Sequence, residues 1–288
     1  MSERNIYHMC NLSPVILFRQ VEDYLVAISR LAACSRTFLV DVLAYCIMST
    51  HYHLILRGEY DDVLKFLNVY RRNIIVRHNS TYNSSMGTSV TCKQLIGDEA
   101  VIAGINYVLK NPIHHGIKST AFSYPYSSTS CYFSNDFIRE DYFQAEKIQA
   151  RYNKPSDLLA RDYKKLFVGH EVPDTFRIIS NRMIVPETFV ASKYVETIYS
   201  TPRNFAYQMN KPLKEDLYLL GNDIEAINHQ VSKTDLTGQI SDIKACEIMD
   251  NYIAPRTYAQ IKDEDKSNLW KYLKRNGINY SQFQRMLL

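Results

Sequence analysis

Two histidines one residue apart, His51 and His53, stand in a mostly apolar stretch of strand-like residues, 45–57, with a polar break at Ser49 and Thr50. Side chains at i and i+2 of a strand share a face. The two imidazoles would therefore sit side by side, with Tyr52 turned into the layer behind. So placed, they supply two ligands to one metal ion and leave positions open for a phosphate and a water. The plainer alternative is a strand that happens to carry two histidines. A second pair lies downstream. Tyr107 and Asn111 are four residues apart in a helical stretch and share one face of it. Tyr107 offers a nucleophilic hydroxyl and Asn111 a third, oxygen ligand. The plainer alternative is a core tyrosine and a helix-ending asparagine.

The elements that must hold these residues follow from periodicity. Residues 5–12 alternate weakly and predict a first strand, with a second short strand over 14–18. Val21, Tyr24, Leu25, Ile28, Leu31 and Ala32 recur at helical spacing and predict a helix over 21–33. Residues 37–48 are β-rich and apolar, as in a central strand, and 51–57 pair with them through the Ser49-Thr50 turn. Asp61 or Asp62 caps a second helix, with Val63, Phe66, Leu67, Tyr70 and Ile74 as its apolar stripe. Lys65, Arg71, Arg72 and Arg77, interleaved with Tyr70 and Tyr82, suit a backbone-tracking groove for single-stranded nucleic acid. They equally suit a solvated helix face. Residues 79–89 form a polar loop and 90–96 a further strand. Asp98 and Glu99 open the tyrosine helix at its positive end, and Asn111-Pro112 is expected to stop it. Lys110 stands beside Asn111, within reach of the same bound strand.

The bulk composition sets limits. The 288 residues allow one large domain or two ordinary ones, and 46% hydrophobic content can build a core. A net charge of +4 permits a polyanionic partner without demanding one. The six cysteines, at 10, 34, 46, 92, 131 and 246, form no Cys-x-x-Cys pair, as expected of reduced core residues in a cytoplasmic protein. No stretch has a signal peptide's apolar run or a membrane span's length. No glycine-rich phosphate loop occurs among nine glycines, so no nucleotide cofactor is expected.

Three motifs, in order, resemble the single-tyrosine HUH transposases, and among them the REP-associated tyrosine transposases. Residues 44–56 resemble the strand pair around the family's metal histidines. Tyr107-Val108-Leu109-Lys110-Asn111-Pro112-Ile113-His114-His115-Gly116-Ile117 resembles the helix end bearing its catalytic tyrosine. Phe122-Ser123-Tyr124-Pro125-Tyr126-Ser127-Ser128 resembles the run that closes its domain. Thr50 stands where the family usually has asparagine. The resemblance covers about residues 5–135. It implies an α+β fold, an antiparallel sheet with helices on it around a ferredoxin-like or RRM-like HUH core, in a catalytic domain spanning 1–135. It further implies Mg²⁺ or Mn²⁺ on His51, His53 and Asn111. Tyr107 would nick single-stranded or hairpin DNA through a 5′-phosphotyrosine, in a monomer or homodimer. A binding-only relative and a rolling-circle replication initiator are the alternatives. Residues 136–288 form a mostly helical second region, with helices expected over 142–152, 156–167, 186–200, 240–253 and 263–275. A turn at Asn276-Gly277 and a last short helix make a helix-turn-helix-like end.

Overall fold

A computed structural model describes residues 3–85, 87–134, 152–179, 184–212, 214, 216, 220, 240–256 and 260–287. The first half runs β1 (Asn5–Leu12), α1 (Val21–Thr37), β2 (Asp41–Ile47), β3 (His51–Gly58), α2 (Tyr60–Tyr82), β4 (Ser89–Leu95) and α3 (Asp98–His114). The strands form one antiparallel sheet in the order β2-β3-β1-β4. This is the α+β arrangement of a β-α-β-β-α-β unit, in which each helix is the crossover between two parallel, non-adjacent strands.

Both crossover helices lie on one face. Tyr52 of β3 packs edge-on against Tyr70 of α2 and near Phe18, and the Tyr70 hydroxyl donates to the Ala27 carbonyl of α1. The other face is left for α3, which follows β4. Gly104 marks where it crosses the sheet: a Cβ there would stand 2.6 Å from Leu95 Cδ1 and 3.4 Å from Ile55 Cδ1. The glycine weakens the helix by about 1 kcal/mol relative to alanine, and that is the condition of the close approach.

The aromatic-Pro-aromatic-Ser-Ser run lies along the β2 edge. Ile47 N donates to Tyr126 O, Ser128 N to Tyr45 O, and Tyr45 N to Ser128 Oγ. An unpaired strand edge is thereby covered. Among the described residues no strand pairs with the β4 edge, and Ser89 through Gln94 are exposed.

Several boundaries differ from the pattern expectations. Residues 14–18 form no strand; they are pinned singly instead, with Leu17 N and Phe18 N both donating to Ser49 O. Helix α2 continues through the polar residues to Tyr82 and ends at Asn83 in the left-handed region, φ 50°. Helix α3 continues past Pro112 to His114. The proline sits in the last turn, where its missing N–H removes a single bond and the chain need not be bent for long.

Beyond this unit lie α4 (Ala160–Phe167), α5 (Ser192–Tyr199), α6 (Pro202–Asn210), α7 (Asp242–Ile253), α8 (Asp263–Arg275) and α9 (Tyr280–Met286). The helices expected over 156–167 and 186–200 are shorter, each preceded by a 3₁₀ turn opening on proline, at Pro155–Asp157 and Pro186–Thr188. The helix expected over 142–152 lies, but for Tyr152, outside the described residues. Phe167, Val195, Tyr199, Phe205 and Leu220 join the core of the sheet. Helices α7 to α9 build a second core with Ile16, from Cys246, Met249, Leu269, Leu273, Phe283 and Met286. Gly277, at φ 83°, makes the turn from α8 to α9. Among the described residues no helix is long and apolar enough to cross a membrane. All six cysteines are free, with only Cys92 exposed.

Candidate active site

The sheet face under α3 carries the chemistry. Strand alternation puts His8 and Cys10 of β1, Cys46 of β2 and His51 and His53 of β3 on that face; Cys10 and Cys46 flank His53 in register. Helix α3 brings Tyr107 and Asn111 down onto them. The Tyr107 ring stands edge-on to His53, 5.2 Å between centroids, and to His8 at 5.8 Å. His51 and His53 are 5.1 Å apart, and His115, just past α3, is 5.2 Å from His51. The four residues of the tyrosine and histidine motifs, His51, His53, Tyr107 and Asn111, thus meet in one place.

Their ring nitrogens are arranged alike. His51 Nδ1 is 3.0 Å from Thr50 Oγ1, and His53 Nδ1 is 3.1 Å from His8 Nε2. Each histidine is held at Nδ1, which leaves Nε2 as its working atom. His51 Nε2 lies 3.0 Å from Asn111 Oδ1, while His53 Nε2 has a weak contact with Cys10 Sγ at 3.9 Å. Asn111 Nδ2, His114 Nε2 and His115 Nε2 are buried without a hydrogen-bond partner among the described residues. The cluster therefore contains more polar atoms than the protein itself satisfies.

Burial controls the protonation of the cluster. It lowers His51 to about 4, with the Asn111 hydrogen bond opposing and His114 assisting. It lowers His8 to about 4, with Lys93 assisting, and His115 to about 2, with His51 and His114 assisting. Burial holds His53 well below its ordinary value, and the neighbouring histidines add to the effect. At neutral pH the imidazoles are uncharged, the form in which they bind metals.

The donor set fits a divalent cation. His51 Nε2 and Asn111 Oδ1, 3.0 Å apart, would both be donors to it. Nitrogen and neutral oxygen donors together suit Mn²⁺ as well as Mg²⁺. Among the described residues no three His, Cys, Asp or Glu side chains converge as a metal site, so an ion held here would have the carboxamide of Asn111 as its third ligand. The site is also closed: His51, Tyr107 and Asn111 are 0% exposed.

The basic residues lie elsewhere. Lys65, Arg71, Arg72 and Arg77 are on α2, across the sheet from Tyr107. Lys65 pairs with Asp62, Arg71 donates to the Thr88 hydroxyl and carbonyl, and Arg77 ties α2 to Asp23 of α1. Arg72 is exposed. Lys110 points away from the histidines, into a buried ion pair with Asp216. A cleft of about 640 Å³ between the end of α2, residues 14–19 and the C-terminal helices includes Arg19, His78, Tyr82 and Arg285 but none of the four motif residues. His8 and His115 were not picked out by motif spacing. The signal for His8 was its place two residues before Cys10 on an alternating strand.

No family model matches the sequence, and no curated protein matches it. Among solved structures, the chain is similar to a REP-associated tyrosine transposase bound to a REP hairpin. The identity is 14% and the TM-score 0.38, over 48% of this chain and 84% of the other.

Proposed function

We propose that this chain nicks and transfers single-stranded DNA, with Tyr107 as the nucleophile and His51, His53 and Asn111 as ligands of one Mg²⁺ or Mn²⁺ ion. One observation carries this reading. Two histidines held at Nδ1, a carboxamide oxygen hydrogen-bonded at 3.0 Å to the Nε2 of one, and a tyrosine ring 5.2 Å from the other come from two separate motifs onto one buried patch. The order of the motifs, which resembles that of single-tyrosine transposases, supports it.

His51, His53 and Asn111 would hold the ion, which would supply Lewis acidity to a phosphodiester oxygen. Tyr107 Oη attacks phosphorus, its proton leaves, and the bond to the 3′-oxygen breaks. A 5′-phosphotyrosine and a free 3′-hydroxyl result. A free tyrosine ionises near 10, so proton removal needs assistance, which the field of a divalent ion held beside the ring would supply by favouring the phenolate. The reverse attack by a 3′-hydroxyl reseals a strand without nucleotide hydrolysis. Because Tyr107 is fully buried, a phosphate reaches it only after the groups that cover it move.

That closure favours a second reading, a DNA-binding relative that does not cut. Mn²⁺ titration calorimetry and a denaturing gel separate the two. Wild type is expected to bind Mn²⁺ and form a protein–DNA adduct on hairpin substrates. His53→Ala is expected to lose both, and Asn111→Ala to regain cleavage in part at high metal, since water replaces a neutral oxygen ligand. Tyr107→Phe is expected to keep DNA and metal binding with no adduct. Equal background Mn²⁺ binding by folded wild type and both ligand variants would sink the metal site. An adduct in Tyr107→Phe would remove Tyr107 as nucleophile.

A further inference from the structure

We infer that His8 is a positioning residue for the metal ligand His53, fixing its tautomer and ring angle so that Nε2 is the atom offered to a cation. The inference rests on the metal-site reading above and adds a residue no motif contains. His8 lies on β1 opposite Ile55, diagonal to His53, which pairs with Cys10. Its Nε2 is 3.1 Å from His53 Nδ1. The two rings are nearly parallel, 10° apart with centroids at 5.3 Å, so the bond runs close to the planes of both. Both side chains are buried, at 3% and 1% exposure.

Proton bookkeeping then has a single solution. A metal-binding Nε2 carries no proton, so neutral His53 is protonated on Nδ1. His53 Nδ1 donates, His8 Nε2 accepts, and the proton of neutral His8 sits on its own Nδ1. Metal-binding histidines commonly have such a partner on the second nitrogen, and removing it weakens the metal 10- to 100-fold, on the order seen for outer-shell changes. Thr50 Oγ1 lies 3.0 Å from the Nδ1 of the other motif histidine, His51. The second contact of His8, edge-on to Tyr107 at 5.8 Å, lets the same ring pack beside the nucleophile.

The test uses the full chain, Mn²⁺ alone as the probe, and the metal-free protein for the tautomer. Imidazole ¹⁵N NMR is expected to find wild-type His53 protonated on Nδ1. In folded His8→Leu the proton is expected to leave Nδ1 in part or whole, and Mn²⁺ affinity to fall about 10- to 100-fold. His8→Gln, whose carbonyl oxygen can take the place of Nε2 as acceptor, is expected to hold Mn²⁺ within about threefold of wild type. Wild-type Mn²⁺ affinity in His8→Leu would overturn the inference, as would a His8→Gln no better than His8→Leu, which would reduce His8 to packing. If His8→Leu does not fold, wild type and His8→Gln decide: a His53 proton on Nε2 in wild type overturns the inference, and one on Nδ1 with Mn²⁺ retained in His8→Gln supports it. If wild type binds Mn²⁺ no better than His53→Ala, the metal site itself is refuted and His8 falls with it. That outcome differs visibly from a wild type that binds and a His8→Leu that binds equally.

Discussion

Lys110 follows Tyr107 by three residues and stands where a strand-contacting lysine was expected, yet its ammonium is spent inside the protein. Its side chain is 3% exposed and ion-paired with Asp216, itself 6% exposed. It also donates to the carbonyls of Gln208 and Lys211, at 3.1 and 3.2 Å. Next to it Asn106 donates to Asp216 at 3.0 Å and accepts from the Tyr199 hydroxyl at 2.7 Å. These contacts fasten α5, α6 and Asp216 to the outer side of α3. Lys110→Met keeps most of the side-chain volume and removes the charge. It leaves a buried carboxylate without its counter-ion, which costs about 3–5 kcal/mol when one partner of a buried pair is deleted. Adding Asp216→Asn removes the stranded charge, keeps an acceptor for Asn106, and is expected to recover all but about 1–2 kcal/mol. That remainder corresponds to the two carbonyls left without a donor. Guanidinium denaturation of wild type, both singles and the double variant measures this as a coupling of about 2 kcal/mol or more. The structural role is refuted if Lys110→Met unfolds within about 1 kcal/mol of wild type while its affinity for single-stranded DNA falls, for then the lysine serves the strand and not the fold.

Two further outcomes follow from the charges. In metal-free protein, stability is expected to be level above about pH 6.5 and to fall from there to about pH 4, because the unfolded chain takes up protons on His8 and His51 that the folded one, with both near 4, refuses. Each histidine contributes on the order of 3 kcal/mol across that window, and a guanidinium midpoint unchanged between pH 7.5 and 5 would contradict it. Arg72→Ala is expected to weaken binding of all single-stranded sequences alike, with the salt slope reduced by about one. It should leave adduct yield at saturating DNA unchanged, since α2 lies across the sheet from Tyr107. Loss of adduct at saturation would put Arg72 beside the scissile strand.

Local spacing was enough to place His51 and His53 on one face of a strand, to turn Tyr52 away from them, and to put Tyr107 and Asn111 on one side of a helix. These are statements about periods of 2 and 3.6 residues, and the backbone enforces them wherever the element forms. The antiparallel α+β sheet was legible too, as what the resemblance carried by the three ordered motifs implies. That the tyrosine helix crosses the histidine face, while α2 and its arginines lie on the opposite one, was a tertiary decision. Both crossovers, β1 to β2 and β3 to β4, take the same hand and cover the same face, so only a helix outside that unit can cover the other. His8 joins the site through β1–β3 pairing, 45 positions from His53 in the sequence, and no local pattern encodes a partner at that distance. The fate of the cations was equally hidden. A lysine or arginine in the sequence shows its charge but not its counter-ion, and the carboxylates that hold Lys110 and Arg77 come from other elements that only folding brings near.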